Sequence, residues 1–228
     1  MTQPKTAILI FANSAKREGS LKSFRKSVVL FRELNKNILE KVISTGLPYF
    51  ISSEKEQIGN SFAQRYTHSV QGVFDQGFDN VITIGNDTPH LQSSQLLKTA
   101  DLLATNKMVL GPSCDGGYYL LGINKSHFNQ NEFLNFSWQT DTLAAEVSQF
   151  LKERQLDIVL LKTLSDIDSA SDIFAVLQDS KLFSEKLISL LKHIILPKKK
   201  FQIKKELLIS SLFKNIFLNK GSPILMRQ

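Results

Sequence analysis

A chain of 228 residues, 42% of them apolar and 21% charged, holds enough material for one α/β domain with an appendage. No stretch of eighteen apolar residues occurs, which excludes a membrane-spanning helix, and a single cysteine, Cys114, excludes an internal disulfide or a multi-cysteine zinc site. The net charge of +7 is concentrated at one end: residues 181–228 carry eleven Lys or Arg and two Glu, a net +9, so residues 1–180 carry −2, and the overall basicity gives no reason to expect nucleic acid as a partner of the domain.

In chain order, Ala7-Ile8-Leu9-Ile10-Phe11 is a compact apolar run and predicts a buried first strand. No basic segment followed by an apolar one precedes it, and with one cysteine the expected compartment is a reducing cytoplasm. Residues 21–44 have helical spacing, with Phe24, Val28, Phe31, Leu34 and Ile38 near one face, and Gly46 stops the pattern. A short strand at Tyr49-Phe50-Ile51 and a helix over 60–76, ended by Gly77, lead to a buried strand at Val81-Ile82-Thr83-Ile84. Then come a helix over 93–104, a strand over 108–111, a strand over 118–123, a helix over 142–154 and a strand over 158–161. Strands that alternate with helices predict a mostly parallel open sheet with helices on both faces, a Rossmann-like α/β architecture. The domain is expected to span 1–180, and 181–228 to form a basic helical extension. Leu187, Leu190, Leu191 and Ile194 recur there at helical spacing, as do Leu207, Leu208, Leu212, Ile216 and Phe217 after Pro197. Such faces need a cover: the domain itself or a homodimer partner is expected to supply it, or else a peripheral contact at the inner membrane face.

Two motifs carry the chemistry. In Gly85-Asn86-Asp87-Thr88-Pro89, Asp87 falls just past the end of a strand, and in Asp115-Gly116-Gly117-Tyr118-Tyr119, Asp115 follows another strand in a Gly-rich turn. Ligands of open α/β sheets bind outside those carboxyl ends. A carboxylate there is placed to hold a hard cation and, through it, a diphosphate. The bland reading is an Asp that makes a turn before Pro89, together with a Gly-Gly hairpin. Asp115 is read as a general base or hydroxyl acceptor, with Gly116 and Gly117 letting backbone approach a ligand. Tyr118 and Tyr119 alternate across a strand, so at most one faces the crevice. Asp166 and Asp168 follow the last strand, as a second metal contact with Asp168 the better candidate, or one of them, or Ser169, is the N-cap of a helix from Ser171. Lys16, Arg17, Lys22 and Arg25 crowd the loop after the first strand, where phosphate contacts are expected or where a solvated basic face would stand.

GNDTPHL at 85–91, DGGYYLLG at 115–122, SWQTDTL at 137–143 and LSDIDSASDI at 164–173 together resemble the largely uncharacterised glycosyltransferase-A-like bacterial proteins that are often labelled nucleotide-diphospho-sugar transferases. The resemblance covers roughly residues 6–178. It implies that Asp87 and Asp168 ligate Mg²⁺ or Mn²⁺. It also implies that Phe11, Lys22, Arg65 and Asn86 face the nucleotide and that Gly116, Gly117 and Tyr118 line the site beside Asp115. Trp138 with Thr140 either walls the acceptor or, as a lone Trp more often does, belongs to the core. The segment Gln57 to Phe62 is similar to the family's stretch before the metal-site strand. The chain departs from the family's Arg, Pro and Lys-Thr-Arg pattern, which is here Asn13-Ser14-Ala15 and Lys22-Ser23-Phe24.

Three readings follow. The first is a metal-dependent transferase that moves a sugar from a nucleotide-diphospho-sugar to an acceptor the sequence does not name. The second is a nucleotidyltransferase that uses a nucleoside triphosphate and releases pyrophosphate. The third is a non-catalytic protein that keeps the fold and binds a partner.

Overall fold

The structure is a computed structural model that describes residues 4–196. Six strands form one sheet: β1 (Thr6–Phe11), β2 (Tyr49–Ser52), β3 (Asn80–Ile84), β4 (Met108–Pro112), β5 (Tyr118–Asn124) and β6 (Ile158–Leu160), in the order β2-β1-β3-β5-β4-β6. Neighbours pair in parallel except β5, which runs antiparallel to both β3 and β4. The exception follows from the short 113–117 turn, which joins β4 to β5 as a hairpin and leaves no room for a crossover. The mostly parallel α/β sheet is as expected. The carboxyl ends of the five other strands and the amino end of β5 therefore share one edge, and every candidate site residue lies near it.

Eight α-helices occur among the described residues: α1 (Ala15–Leu21), α2 (Ser27–Ile43), α3 (Phe62–Asp75), α4 (Ser93–Ala104), α5 (Gln130–Leu134), α6 (Leu143–Glu153), α7 (Asp172–Gln178) and α8 (Glu185–Ile195). On one face Ala7, Leu9, Val81 and Leu121 pack against Tyr66, Val70 and Phe74 of α3 and Val147 and Leu151 of α6. On the other, Ile8, Ile82, Val109 and Leu120 meet Ile38 and Val42 of α2 and Leu96 and Leu103 of α4. The period of two along each strand divides the two cores.

The periodicity of 21–44 predicts one helix, and it is α2, which starts only at Ser27; the preceding α1, which ends at Leu21, is unexpected. Gly19 of α1 packs so closely on α2 that a Cβ would stand 2.5 Å from Val28 Cγ2. The Ser27 hydroxyl donates to the Gly19 carbonyl, and Lys26 takes a left-handed φ of 60°. The 22–26 joint between the helices puts Lys22 at the sheet edge.

The compact unit runs through Ile195. Within it, Leu187, Leu191 and Ile194 of α8 are buried with Leu30, Phe31 and Leu34 of α2 and Ile173 and Val176 of α7. The apolar stripe of α8, placed in the extension by the sequence reading, is thus covered by the domain's own helices. The second amphipathic run, from Leu207, lies outside the described residues. No helix among the described residues is long and apolar enough to cross a membrane.

Candidate active site

The loop after β1 begins with Phe11, Ala12 and Asn13, and Ser14 caps α1. Ser14 donates its backbone N–H (2.6 Å) and its hydroxyl (2.5 Å) to Glu54, in the segment after β2. The loop after β3 is fixed by Asn86, which is buried and donates to Asn35 Oδ1 at 2.6 Å. The 164–168 segment is laid along the end of β4 by Cys114 N–H to the Leu164 carbonyl (2.9 Å), and it crosses to the next loop through Ile167 N–H to the Asp87 carbonyl (3.0 Å). These backbone bonds bring Asp87, Asp115, Asp166 and Asp168 to one place.

Lys22 stands among them. Its ammonium lies 2.7 Å from Asp87 Oδ2, 2.7 Å from Asp168 Oδ1 and 3.0 Å from Glu18 Oε1, and it donates to the Ile167 carbonyl at 3.3 Å. Glu18 is buried and also accepts from Asn13 Nδ2 at 2.7 Å. Burial alone would lower the Lys22 pKa, but the charges of Asp87 and Glu18, with hydrogen bonds to Asp168 and Asp87, outweigh it and hold the pKa above the ordinary lysine range. Lys22 therefore stays charged at neutral pH.

Asp166 has no salt bridge among the described residues. Burial first, then the charges of Asp87 and Asp115, push its carboxyl up to about 7, with Asp168 adding to the effect and the Ser113 hydroxyl opposing it. The folded chain thus keeps a proton on Asp166 that the unfolded chain releases near pH 4. Between those values the folded state binds more protons, so stability falls as pH rises towards 7 and the loss is complete above it. Asp166→Asn removes the ionisation. At pH 8 the variant should be more stable by about 1–2 kcal/mol after discounting for solvent screening, a Tm gain of about 3–6 °C. At pH 4 the gain should vanish. Thermal melts of both proteins across this range check it.

The wall beside the carboxylates is aromatic. Phe11 meets Phe62 and Tyr66 edge-on at 5.5 and 5.3 Å, and Trp138 lies 4.7 Å from Tyr66 and 5.3 Å from Phe62. Trp138 Nε1 donates to the Phe133 carbonyl at 2.6 Å, which fixes the indole. Tyr118 is on this face, its ring 6.4 Å from that of Tyr66, and its buried hydroxyl interacts with the Tyr66 hydroxyl. Tyr119 turns to the other core and donates to the Lys162 carbonyl at 3.0 Å. The aromatic wall encloses about 250 Å³, which opens into a wider cleft of about 1000 Å³, the range of small-molecule sites, about 300–1,000 Å³.

The sequence-predicted residues distribute around this space as follows. Phe11, Asn86, Tyr118 and Trp138 line the inner cavity, Lys22, Thr140 and Asp168 the outer cleft, and Arg65, Asp87, Asp115 and Gly117 both. Arg65 has no salt bridge among the described residues. Gly116 stands behind the lining, where its carbonyl accepts from Ala144 N–H at 2.9 Å. Asp115 Oδ1 is engaged in the turn by Gly117 N–H (2.9 Å) and the Ser113 hydroxyl, which leaves Oδ2 for a ligand. The capping reading of Asp166, Asp168 and Ser169 is corrected. Asp172 Oδ2 takes the backbone N–H groups of Asp168 (3.0 Å) and Ser169 (2.7 Å), so Asp168 is free to hold Lys22 and Asp166 lines the inner cavity. Sequence reasoning missed Glu18 and Tyr66. The i,i+4 spacings Glu18–Lys22 and Phe62–Tyr66 are the local signals that could have found them.

The donors present suit a divalent ion. Asp87 and Asp168 already converge on one cation, and hard carboxylate oxygens are what Mg²⁺ and Mn²⁺ take. Among the described residues no three acidic, His or Cys side chains are grouped so as to hold a metal ion by themselves.

The family described as "uncharacterized protein conserved in bacteria" (DUF2064) matches residues 27–140, a segment that holds Asp87, Asp115 and Trp138. No curated protein matches the chain. Among solved structures, the "putative nucleotide-diphospho-sugar transferase" from Desulfovibrio desulfuricans G20 superposes with a TM-score of 0.72 at 23% identity, over 83% of this chain and 95% of that one. That likeness shows a shared fold. A nucleotidyl transferase from Methanothermobacter thermautotroptrophicus reaches 0.45 at 12% identity, over 77% and 96% of the two chains. The Rv0371C complex with manganese from Mycobacterium tuberculosis H37Rv reaches 0.44 at 11% identity, over 77% and 99%.

Proposed function

The chain belongs to the DUF2064 family of uncharacterized proteins conserved in bacteria, and from that premise we propose that it is a metal-dependent transferase that moves a sugar from a nucleotide-diphospho-sugar to an acceptor hydroxyl. The observation that carries the reading is the convergence of Asp87 and Asp168, from the loops after β3 and β6, on a single cation position beside an aromatic cavity.

In this reading Asp87 and Asp168 hold Mg²⁺ or Mn²⁺. When bound, the ion neutralises charge that builds on the departing diphosphate. Arg65 and Lys22 supply positive charge to the phosphates from the two sides of the cleft. The aromatic wall of Phe11, Phe62, Tyr66 and Trp138 takes a flat or apolar face of the ligand and excludes water. Asp115 Oδ2 receives the proton of the acceptor hydroxyl as the glycosidic bond forms, while Oδ1, held by Gly117 and Ser113, fixes the carboxylate's orientation.

A second reading has one observation in its favour. Arg17 and Lys22 both line the wide part of the cleft, a pairing suited to the triphosphate of a nucleotidyltransferase substrate. A thermal-shift panel of UDP-, GDP-, CDP- and dTDP-sugars and the four nucleoside triphosphates, with and without Mn²⁺, separates the two. Saturation at a hundred times Kd adds about 2.7 kcal/mol, a shift of about 5–10 °C. A Mn²⁺-dependent shift with one nucleotide sugar is the expected result. Preference for a triphosphate selects the nucleotidyltransferase, and no shift with any of them overturns both.

A further inference from the structure

We infer that Lys22 is a placeholder cation: its ammonium occupies the position between Asp87 and Asp168 that the divalent ion takes, and it yields that position to metal only when a phosphate ligand gives it another partner. This rests on the reading of Asp87 and Asp168 as metal ligands.

The geometry sets up a competition. Both carboxylates that could share a metal point an oxygen at Lys22 Nζ at the same 2.7 Å, and Glu18 holds the ammonium from behind at 3.0 Å. A metal cannot take these oxygens while the lysine keeps them, and the lysine cannot leave without a new anion, because a partly buried ammonium stripped of its carboxylates would be left uncompensated. Its own side chain is only 17% exposed, so water is a poor replacement. A diphosphate in the cleft is an adequate one, since it offers oxygens of full charge at a site where Lys22 is already part of the lining. Lys22 also sits where such a shift is short. It is the residue that ends α1 and opens the 22–26 joint before α2, so its side chain can turn without unwinding a helix.

The consequence is coupled binding. Metal alone meets a site already filled by a cation, and metal with nucleotide meets one that the nucleotide has cleared. Coupling of this kind is reciprocal, so the metal must strengthen nucleotide binding by the same factor that nucleotide strengthens metal binding.

The test titrates Mn²⁺ alone, followed by the loss of the free-ion electron paramagnetic resonance signal, into the wild-type chain and into Lys22→Met, which keeps the volume of the side chain and removes its charge. Mn²⁺ is expected to bind Lys22→Met at least tenfold more tightly than the wild type. Lys22→Arg, which keeps a cation in place, should bind it as weakly as the wild type. If Lys22→Met fails to fold, Lys22→Gln carries the same expectation. Mn²⁺ affinity that is unchanged or weaker in the folded uncharged variant overturns the inference. The experiment contains no nucleotide, so its failure is distinct from failure of the transferase reading, which the ligand panel decides.

Discussion

Asp87→Asn should abolish Mn²⁺-dependent nucleotide binding and leave the fold standing. The substitution keeps the size and one acceptor oxygen of the side chain but removes the charge that a divalent ion needs. Truncating one member of a desolvated charge pair at a binding site costs about 2–5 kcal/mol, so affinity should fall by about thirtyfold to several thousandfold. Stability should barely respond. Lys22 retains Asp168 and Glu18, the loop retains Ile167 N–H on the Asp87 backbone carbonyl, and Asp166 is relieved of one repelling neighbour. A Tm within about 2 °C of wild type, together with lost binding in calorimetric titrations with Mn²⁺ and nucleotide, is the expected pair of results. Unchanged titrations would remove Asp87 from the metal site and with it the main support for the transferase reading.

The parts of this site that the sequence displays are those held by local rules. β1 and β3 are short apolar runs stopped by a change of composition, and their ends can be located to within a residue, so Asp87 falls at a strand terminus by inspection. The two glycines after Asp115 mark a tight turn for the same reason. The centre of the site obeys no local rule. Lys22 meets Asp87 across 65 positions and Asp168 across 146, and apart from Glu18 four residues before it nothing near Lys22 in sequence distinguishes it from Lys16 or Arg17. Its role depends on a helix break that periodicity hides: Phe24, Val28 and Phe31 read as one continuous face, whereas the close packing of Gly19 on Val28 folds α1 back on α2. Asp166 and Asp168 illustrate the same limit. Their i,i+2 spacing suggests a common direction on extended backbone, yet one lines the inner cavity and the other only the outer cleft. Neither caps α7: its N-cap is Ser171, which makes no side-chain cap bond, and Asp172 in the first turn accepts the backbone N–H groups of Asp168 and Ser169 instead.

Gly116→Ala should be the most destabilising single change at the site, and it separates two glycines that look equivalent in sequence. Gly116 has φ of +91°, outside the range L-residues adopt without strain, and a Cβ placed on it would stand 1.8 Å from the Asp141 carbonyl oxygen. That obstacle is backbone, so no rotamer change relieves it. The Asp141 segment leads directly into α6, whose Ala144 N–H is bonded to the Gly116 carbonyl. Accommodating a methyl group therefore means moving the 113–117 turn away from the start of α6. Clash and backbone strain together should cost about 3–4 kcal/mol, a Tm drop of about 10 °C for a unit of this size. Gly117→Ala meets only the Ser113 hydroxyl and Asp115 Oδ1, both at 3.2 Å, and carries no positive φ. It should cost about 1 kcal/mol or less, while disturbing the two bonds that orient Asp115. Thermal melts of both variants therefore predict a large loss for the first and a small one for the second. Ligand titrations of Gly117→Ala should show weakened binding in a protein that remains folded. Equal losses in the two melts would mean that the turn yields readily, and that Gly-Gly serves the approach of a ligand rather than the packing of the turn against α6.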